Sequence, residues 1–276
     1  ELRDVILVSN PPALATSTQA EVKIIEDHKT AETQILLGPL APKSKDQKTI
    51  ETEAGQVFID QKSDLVLKTG TTTQILASTI YSLAKVDRRI FFVSTSGFLA
   101  VLDPLTGAIT TLGRPGFFLS EKPMQFFPSP AGDLALIDPS GGLFILKSSG
   151  ELETITGNVK KVYFNSSGAK ILIVKPDRIE VFWRKKNNYQ PFQKEGAREE
   201  ILVSGEPILD AGWFFESGSH IAVQTRTGVI FTELDGRGGR NSVELMSGKT
   251  DELITLPDFP TFVFYKKGGS WLKIEL

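Results

Sequence analysis

Ser219 and His220 are neighbouring residues whose types could act together as a nucleophile and its base. The chain has only two histidines, His28 and His220, and no cysteine, so thiolate metal sites, disulfides and Cys nucleophiles are excluded. Adjacent residues on a strand point to opposite faces, so we expect that Ser219 and His220 do not face each other and that His220 is structural. His28 lies in a polar stretch and is expected in an exposed loop. No serine stands in a G-x-S-x-G elbow, and the sequence predicts no catalytic, cofactor or metal residue.

Three further polar clusters contain residue types that can bind ions, but their sequences are also typical of turns. Asp235–Arg240 carries glycines and two arginines that could form an anion-binding nest. An Asp-Gly pair between two β-rich runs is also a hairpin signal, and we favour that interpretation. Asp103–Gly107 and Asp138–Gly142 invite a calcium proposal but lack the alternating oxygen ligands of a calcium loop, so both are expected to be turns.

One sizeable insertion, from Arg184 to Glu200, is a candidate binding surface. Long loops on a rigid repeat scaffold often bind partners. The alternative interpretation is a long, charged outer hairpin without a partner. The residues predicted to bind a partner combine basic and aromatic side chains: Arg184, Lys185, Lys186, Tyr189 and Phe192.

Composition and charge narrow the classes of partner. The 276 residues are 40% hydrophobic and 23% charged, which is typical of a globular protein rather than a disordered one. The formal net charge of −2 gives no basic field of the kind that binds nucleic acid or anionic membrane. No apolar run is long enough to span a bilayer. Because the chain opens on Glu1 rather than Met, we expect a processed protein or an excised domain whose anchor or export signal lies outside this sequence, and the compartment stays open.

A recurring pair of β-rich runs is the main structural signal. Six runs recur with spacings of 33 to 50 residues, a range that centres on the period of a propeller blade. The landmark residues from which these spacings are counted are Leu65, Phe98, Leu143, Ile179, Val229 and Trp271. A companion run precedes each across a tight turn, which predicts hairpins. Helical repeats share this period but not this β-branched and aromatic composition, so helix content should be very low.

A fourth strand follows several hairpins, which predicts four strands per blade. The sixth blade ends at Leu276 without one and leaves an open edge. Thr33–Gly38 (TQILLG) matches Thr73–Ser78 (TQILAS) and is predicted to close the ring. Residues 1–48 are therefore an N-terminal segment with a closing strand or a degenerate blade, and residues 49–276 form the blades. The prediction is six blades, with seven as the alternative, in which Asp4–Ser9 and Ala20–Glu26 contribute.

Three blades share a lead-in of an aromatic, a polar turn and a glycine: Gln125–Gly132, Val162–Gly168 and Gly212–Gly218. In these lead-ins the chain resembles TolB-like and WD40-like β-propellers. The stretch Ser219–Asn241 resembles the propeller that follows PEGA domains in bacterial envelope proteins. That resemblance implies an extracytoplasmic, membrane-tethered scaffold.

The predicted function is a non-enzymatic binding or scaffold module that presents a propeller face to a protein or an envelope polymer. The alternatives are a propeller hydrolase or lyase acting on a glycan or lactone, and a purely structural spacer. An enzyme would gather several carboxylates in one concave pocket, whereas a scaffold would show a channel lined by small and apolar groups. No cofactor and no nucleic-acid partner is predicted.

Overall fold

The chain is built from antiparallel strands. A computed structural model describes residues 3–7, 23–25, 34–36, 49–86, 88–214 and 218–276, and these residues contain 26 strands and no helix. Within them, no helix is long and apolar enough to cross a membrane. The strands form six four-stranded antiparallel sheets and one two-stranded sheet. The prediction of an all-β protein with about six four-stranded propeller blades is confirmed.

The six sheets are numbered here in chain order, and each is formed by consecutive strands, except that the last sheet takes its fourth strand from the N-terminus. Sheet 1 holds β4 (Ile50–Thr52), β5 (Gly55–Ile59), β6 (Leu65–Thr69) and β7 (Thr72–Ala77); sheet 2 holds β8 (Ile80–Val86), β9 (Arg89–Ser94), β10 (Leu99–Leu102) and β11 (Ile109–Gly113); sheet 3 holds β12 (Gln125–Pro128), β13 (Leu134–Ile137), β14 (Leu143–Leu146) and β15 (Leu152–Thr156). Sheet 4 holds β16 (Lys161–Phe164), β17 (Lys170–Val174), β18 (Arg178–Trp183) and β19 (Arg198–Val203); sheet 5 holds β20 (Asp210–Phe214), β21 (His220–Gln224), β22 (Gly228–Glu233) and β23 (Ser242–Ser247); sheet 6 holds β24 (Glu252–Leu256), β25 (Phe259–Lys267), β26 (Ser270–Glu275) and β1 (Arg3–Leu7).

The sheets fall into two compact units. Pro42–Asn158 contains sheets 1 to 3, whereas Val159–Leu276, together with Glu1–Ala41, contains sheets 4 to 6. Each unit has its own apolar clusters, because the middle strands of every sheet are lined with buried aliphatic and aromatic side chains. The boundary at residue 48 that the sequence suggested stays a prediction.

A β-bulge recurs at one place in the repeat. In five sheets the third strand shifts its register against the fourth strand at its first or second residue. The residue just before each shift is fully buried: Leu65, Leu99, Leu143, Ile179 and Val229. A bulge bends and twists a strand locally. The repeated apolar residue therefore marks the bulge between the third and fourth strands in these five sheets.

The strand that completes sheet 6 differs from the predicted one. β1 pairs with β26 in antiparallel register, so a strand from the N-terminus does supply the missing edge. The prediction of Thr33–Gly38 for this role is wrong. Its central part, β3 (Gln34–Leu36), pairs instead with β2 (Lys23–Ile25) in the separate two-stranded sheet.

Candidate functional site

The long connection between β18 and β19 places two large aromatic side chains in solvent. Residues 184–197, called here the basic–aromatic hairpin, contain Tyr189 and Phe192, whose exposed fractions are 80% and 65%. Lys185 and Lys186 are also exposed on this segment. Four of the five residues predicted to bind a partner are therefore solvent-facing.

Hydrogen bonds within the basic–aromatic hairpin fix its backbone. Asn187 N–H donates to Gln193 O at 2.9 Å, and Gln193 N–H donates back to Asn187 O at 3.2 Å. The Asn187 side-chain amide donates to Pro191 O at 2.7 Å. At the base, Gly196 N–H donates to Trp183 O at 2.8 Å. The two aromatic rings therefore project from a segment that is held in place, which lowers the entropy lost on binding.

Arg184, the fifth predicted residue, lies at the base of the hairpin. Its Nη1 donates to Gly168 O at 2.8 Å, and its guanidinium carbon Cζ lies 5.8 Å from the ring centroid of Phe164. Burial lowers the pKa of Arg184, with the charge of Glu195 acting in the opposite direction. The contacts of Arg184 anchor the hairpin to the preceding turn, so this residue supports the exposed surface from below.

A pocket of about 410 Å³, called here the first-strand pocket, lies where the first strands of sheets 4, 5 and 6 meet. Its walls combine Leu209, Leu253 and Ile254 with polar groups. The polar residues that line it are Lys161, Tyr163, Asp210, Gln224, Asp251, Glu252 and Thr255. A volume of this size falls within the range of small-ligand pockets, roughly 300 to 1,000 Å³.

Asp210 organises the floor of the first-strand pocket. Its carboxylate accepts hydrogen bonds from Lys161 Nζ at 2.5 Å, Tyr163 OH at 2.8 Å and Ala211 N–H at 2.9 Å. Burial raises the pKa of Tyr163, and the negative charge of Asp210 and the hydrogen bond to it act in the same direction. The phenol therefore stays protonated, and Asp210 is held by donors from two sheets.

Sequence reasoning did not identify these pocket residues. Tyr163 and Asp210 are 47 residues apart, and Lys161 and Asp210 are 49 residues apart. Both separations equal about one blade period, so the residues occupy neighbouring positions on the first strands of consecutive sheets. The feature of the sequence that could have identified them is the separation of about one blade period between Lys161 or Tyr163 and Asp210.

Ser219 and His220 are closer than the strand rule predicted. Ser219 Oγ lies 3.2 Å from His220 Nδ1, so the prediction that the two side chains cannot meet is wrong. β21 begins at His220, and the alternation of faces does not extend to the turn residue before it. The imidazole stacks on Phe231 with ring centroids 5.0 Å apart and an interplanar angle of 4°. These contacts belong to packing within sheet 5.

We expect the protein to become less stable as the pH falls, because the unfolded chain protonates His220 more readily than the native protein does. Burial lowers the pKa of His220 below its ordinary value of 6.5, with Glu233 acting in the opposite direction. The unfolded chain therefore binds a proton before the native protein does, and native stability decreases as the pH falls through 6.5 towards the lower native pKa. Denaturant unfolding of the wild type and His220→Phe from pH 8 to pH 5 measures this effect. The stability of the wild type relative to the variant should be constant at high pH and decrease below pH 6.5; a constant difference throughout contradicts the expectation.

The remaining sequence candidates are turns. Asp103 Oδ1 accepts from Leu105 N–H at 2.9 Å, and Asp138 Oδ1 accepts from Ser140 N–H and Gly142 N–H, both at 2.9 Å. No group of three His, Asp or Glu side chains in the described part of the chain could hold a metal ion. His28 lies outside the described residues.

The arginines of Asp235–Arg240 are used within the chain. Arg237 binds Asp235 through its guanidinium, and these hydrogen bonds lower the pKa of Asp235 to about 2. Arg240 Nη2 pairs with Glu199 Oε1 at 2.6 Å and donates to Leu234 O at 3.0 Å. The segment therefore behaves as a connection between β22 and β23, as predicted, rather than as an anion-binding nest.

Comparisons with known proteins give low-identity structural similarities. No protein-family model matches the chain, and no curated protein matches it in sequence. The chain is similar to the solved structure of YCF48 from Cyanidioschyzon merolae (13% identity, 80% of this chain and 79% of that chain, TM-score 0.47). It is also similar to BamB from Moraxella catarrhalis (14% identity, 83% and 71%, TM-score 0.47) and to XC5397 from Xanthomonas campestris, described as a gluconolactonase (14% identity, 80% and 82%, TM-score 0.43). Such values transfer neither partner nor activity to this chain.

The prediction that the chain is not an enzyme is withdrawn: the structures with a similar fold include one described as a gluconolactonase beside YCF48 and BamB, so this fold does not exclude an enzyme. The first-strand pocket also contains three carboxylates, Asp210, Asp251 and Glu252.

Proposed function

We propose that this chain binds a protein partner through the basic–aromatic hairpin. One observation carries the proposal: Tyr189 and Phe192 expose 80% and 65% of their side chains on a backbone that is pinned by its own hydrogen bonds. Exposing two large aromatic rings has no stabilising role within the chain. Buried aromatic anchors are the residues that most often dominate binding energy at protein interfaces.

The charges of the hairpin indicate the chemistry of the partner. Lys185, Lys186 and Lys194 are exposed around the two aromatic residues, with Glu195 as the acidic residue among them. The chain as a whole has a formal net charge of −2, so this basic surface is local. A partner with an apolar depression rimmed by carboxylates would fit, because opposite charges at the rim speed and orient association.

We further propose that the partner belongs to the cell envelope. This proposal is supported by the resemblance of Ser219–Asn241 to the propeller that follows PEGA domains in bacterial envelope proteins. An envelope protein and an envelope polymer then become alternative outcomes of one experiment, and the aromatic anchors favour the protein.

Photo-crosslinking in the native cells identifies the partner. A benzophenone amino acid is placed at position 189, at position 192, and, as a matched control, at Phe118, an aromatic residue of the other unit whose side chain is 56% exposed. We expect positions 189 and 192 to give the same single crosslinked protein and position 118 not to give it. The same products from all three positions, or a crosslinked polymer instead of a protein, contradict the proposal.

The identified partner is then purified and its binding to Tyr189→Ser/Phe192→Ser is measured. A hot-spot aromatic contributes about 2 kcal/mol or more, which is a factor of about 30 in affinity, so we expect the double variant to lose a factor of about 700 when the two contributions add. Because both rings are exposed, the free energy of unfolding should change by less than about 0.5 kcal/mol. An unchanged affinity in a folded variant would contradict the proposal.

A further inference from the structure

The first-strand pocket is lined by more acidic residues than basic ones. Three residues with carboxylates line it beside one lysine, Lys161, whose ammonium group Asp210 already binds at 2.5 Å. Glu252 reaches Lys266 at 3.4 Å on a partly exposed surface. Asp251 makes no side-chain hydrogen bond or ion pair to any residue that the structure describes. The unsatisfied charge of the pocket is therefore negative.

Gln224 adds an amide oxygen to the acceptors of the same pocket. The residue is only 2% exposed, and its amide nitrogen donates to Thr250 O at 2.9 Å and to Thr250 Oγ1 at 2.8 Å. With the nitrogen held in this way, the amide oxygen has no donor within the described ranges, and the side chain lines the pocket. A ligand that donates a hydrogen bond could therefore use this oxygen as an acceptor.

The walls of the pocket suit a flexible apolar stem beneath a cationic head. Leu209, Leu253 and Ile254 supply aliphatic surface beside the acceptors. Arginine combines a methylene stem with a planar guanidinium that carries five N–H donors and accepts none. Such a group can donate to a carboxylate and to a neutral amide oxygen together.

We propose that the first-strand pocket binds the arginine side chain of a peptide, with Asp251 and Glu252 as its charge partners and Gln224 Oε1 as an acceptor within the pocket. The proposal goes beyond the basic–aromatic hairpin, because none of the pocket residues belongs to segment 184–197. The basic–aromatic hairpin would bind acidic groups and the first-strand pocket a basic group, so the two surfaces are tested separately.

The test titrates the whole chain, labelled with ¹⁵N, with the blocked tripeptide acetyl-Gly-Arg-Gly-amide. The matched probe replaces arginine by citrulline, which keeps the shape and removes the charge. We expect the arginine peptide to shift the Gln224 side-chain amide resonance in a saturable way and to bind at least about tenfold more tightly than the citrulline peptide. Equal binding of the two peptides, or a shift that does not saturate, overturns the proposal.

Three variants locate the binding. Asp251→Asn should weaken binding of the arginine peptide about fivefold, because it removes an exposed charge partner of modest strength. Asp258→Asn changes an exposed aspartate outside the pocket and should bind like the wild type. Tyr189→Ser/Phe192→Ser should also bind like the wild type, which separates this proposal from that of the hairpin. A loss of affinity in the two controls equal to that in Asp251→Asn shows that the pocket is not the site.

Discussion

Trp213→Ala is expected to lower the free energy of unfolding by about 4 kcal/mol, as large-to-small changes of buried aromatic residues typically cost 3 to 5 kcal/mol. Trp213 is completely buried in the cluster shared by sheets 4 and 5. Its indole N–H donates to Tyr163 O at 2.8 Å, so the substitution creates a cavity and removes a hydrogen bond between the first strands of two sheets.

Lys170 increases the cost of losing Trp213. Its ammonium lies 5.6 Å from the Trp213 ring centroid and 5.0 Å from that of Trp183, and it donates to Gly218 O at 2.5 Å. Burial lowers the pKa of Lys170. Removing one of the two rings takes a cation–π contact from a cation that is already poorly hydrated.

Denaturant unfolding followed by circular dichroism measures the effect of Trp213→Ala, and Trp213→Phe is the matched control. Phenylalanine retains most of the apolar volume and loses the N–H donor, so we expect a cost of about 1.5 kcal/mol. Similar losses for the two variants would show that the hydrogen bond rather than the packing of the indole supports this junction.

Sequence reasoning identified the repeat because the repeat is local. The run that contains Leu65 and the companion run before it were predicted to form a hairpin, and β5 and β6 pair with Val57 opposite Leu67. Alternation of side chains and a short turn suffice for such a prediction, since both partners lie within a few residues of each other.

The error over the closing strand shows where local similarity is insufficient. Thr33–Gly38 resembles Thr73–Ser78 in sequence, and strands lie within both segments. Similar sequences predict that two segments both form strands, but they do not predict which strand each one pairs with. The pairing with β26 joins residues more than 260 positions apart along the chain. β1 carries the sequence RDVIL, which has no counterpart in the fourth strands on which the prediction was based.

The first-strand pocket was missed for a related reason. Lys161, Tyr163 and Asp210 have no motif in common, and they meet because sheets 4 and 5 place their first strands side by side. The hairpin residues Tyr189 and Phe192 were found because an insertion is visible as extra length in a repeat. An excess of residues can be read from one sequence, whereas a contact between two repeats needs their relative placement.

Gly228→Ala is expected to destabilise the protein by about 3 kcal/mol, at the upper end of the usual cost of overpacking. A Cβ at Gly228 would lie 2.2 Å from the backbone oxygen of Met246 and 3.3 Å from its carbonyl carbon. No side-chain rotamer can relieve a clash with backbone, so β22 and β23 would have to separate where Val229 pairs with Met246.

Gly157→Ala is the matched control for this prediction. A Cβ at Gly157 meets nothing within 4 Å, and its backbone does not require glycine. An exposed substitution of this kind should change the free energy of unfolding by no more than about 0.5 kcal/mol. Chemical denaturation of both variants measures this difference. Equal stabilities would contradict a close approach of β22 and β23. A loss of stability in Gly228→Ala alone would show that glycine is required beside the bulge between these two strands.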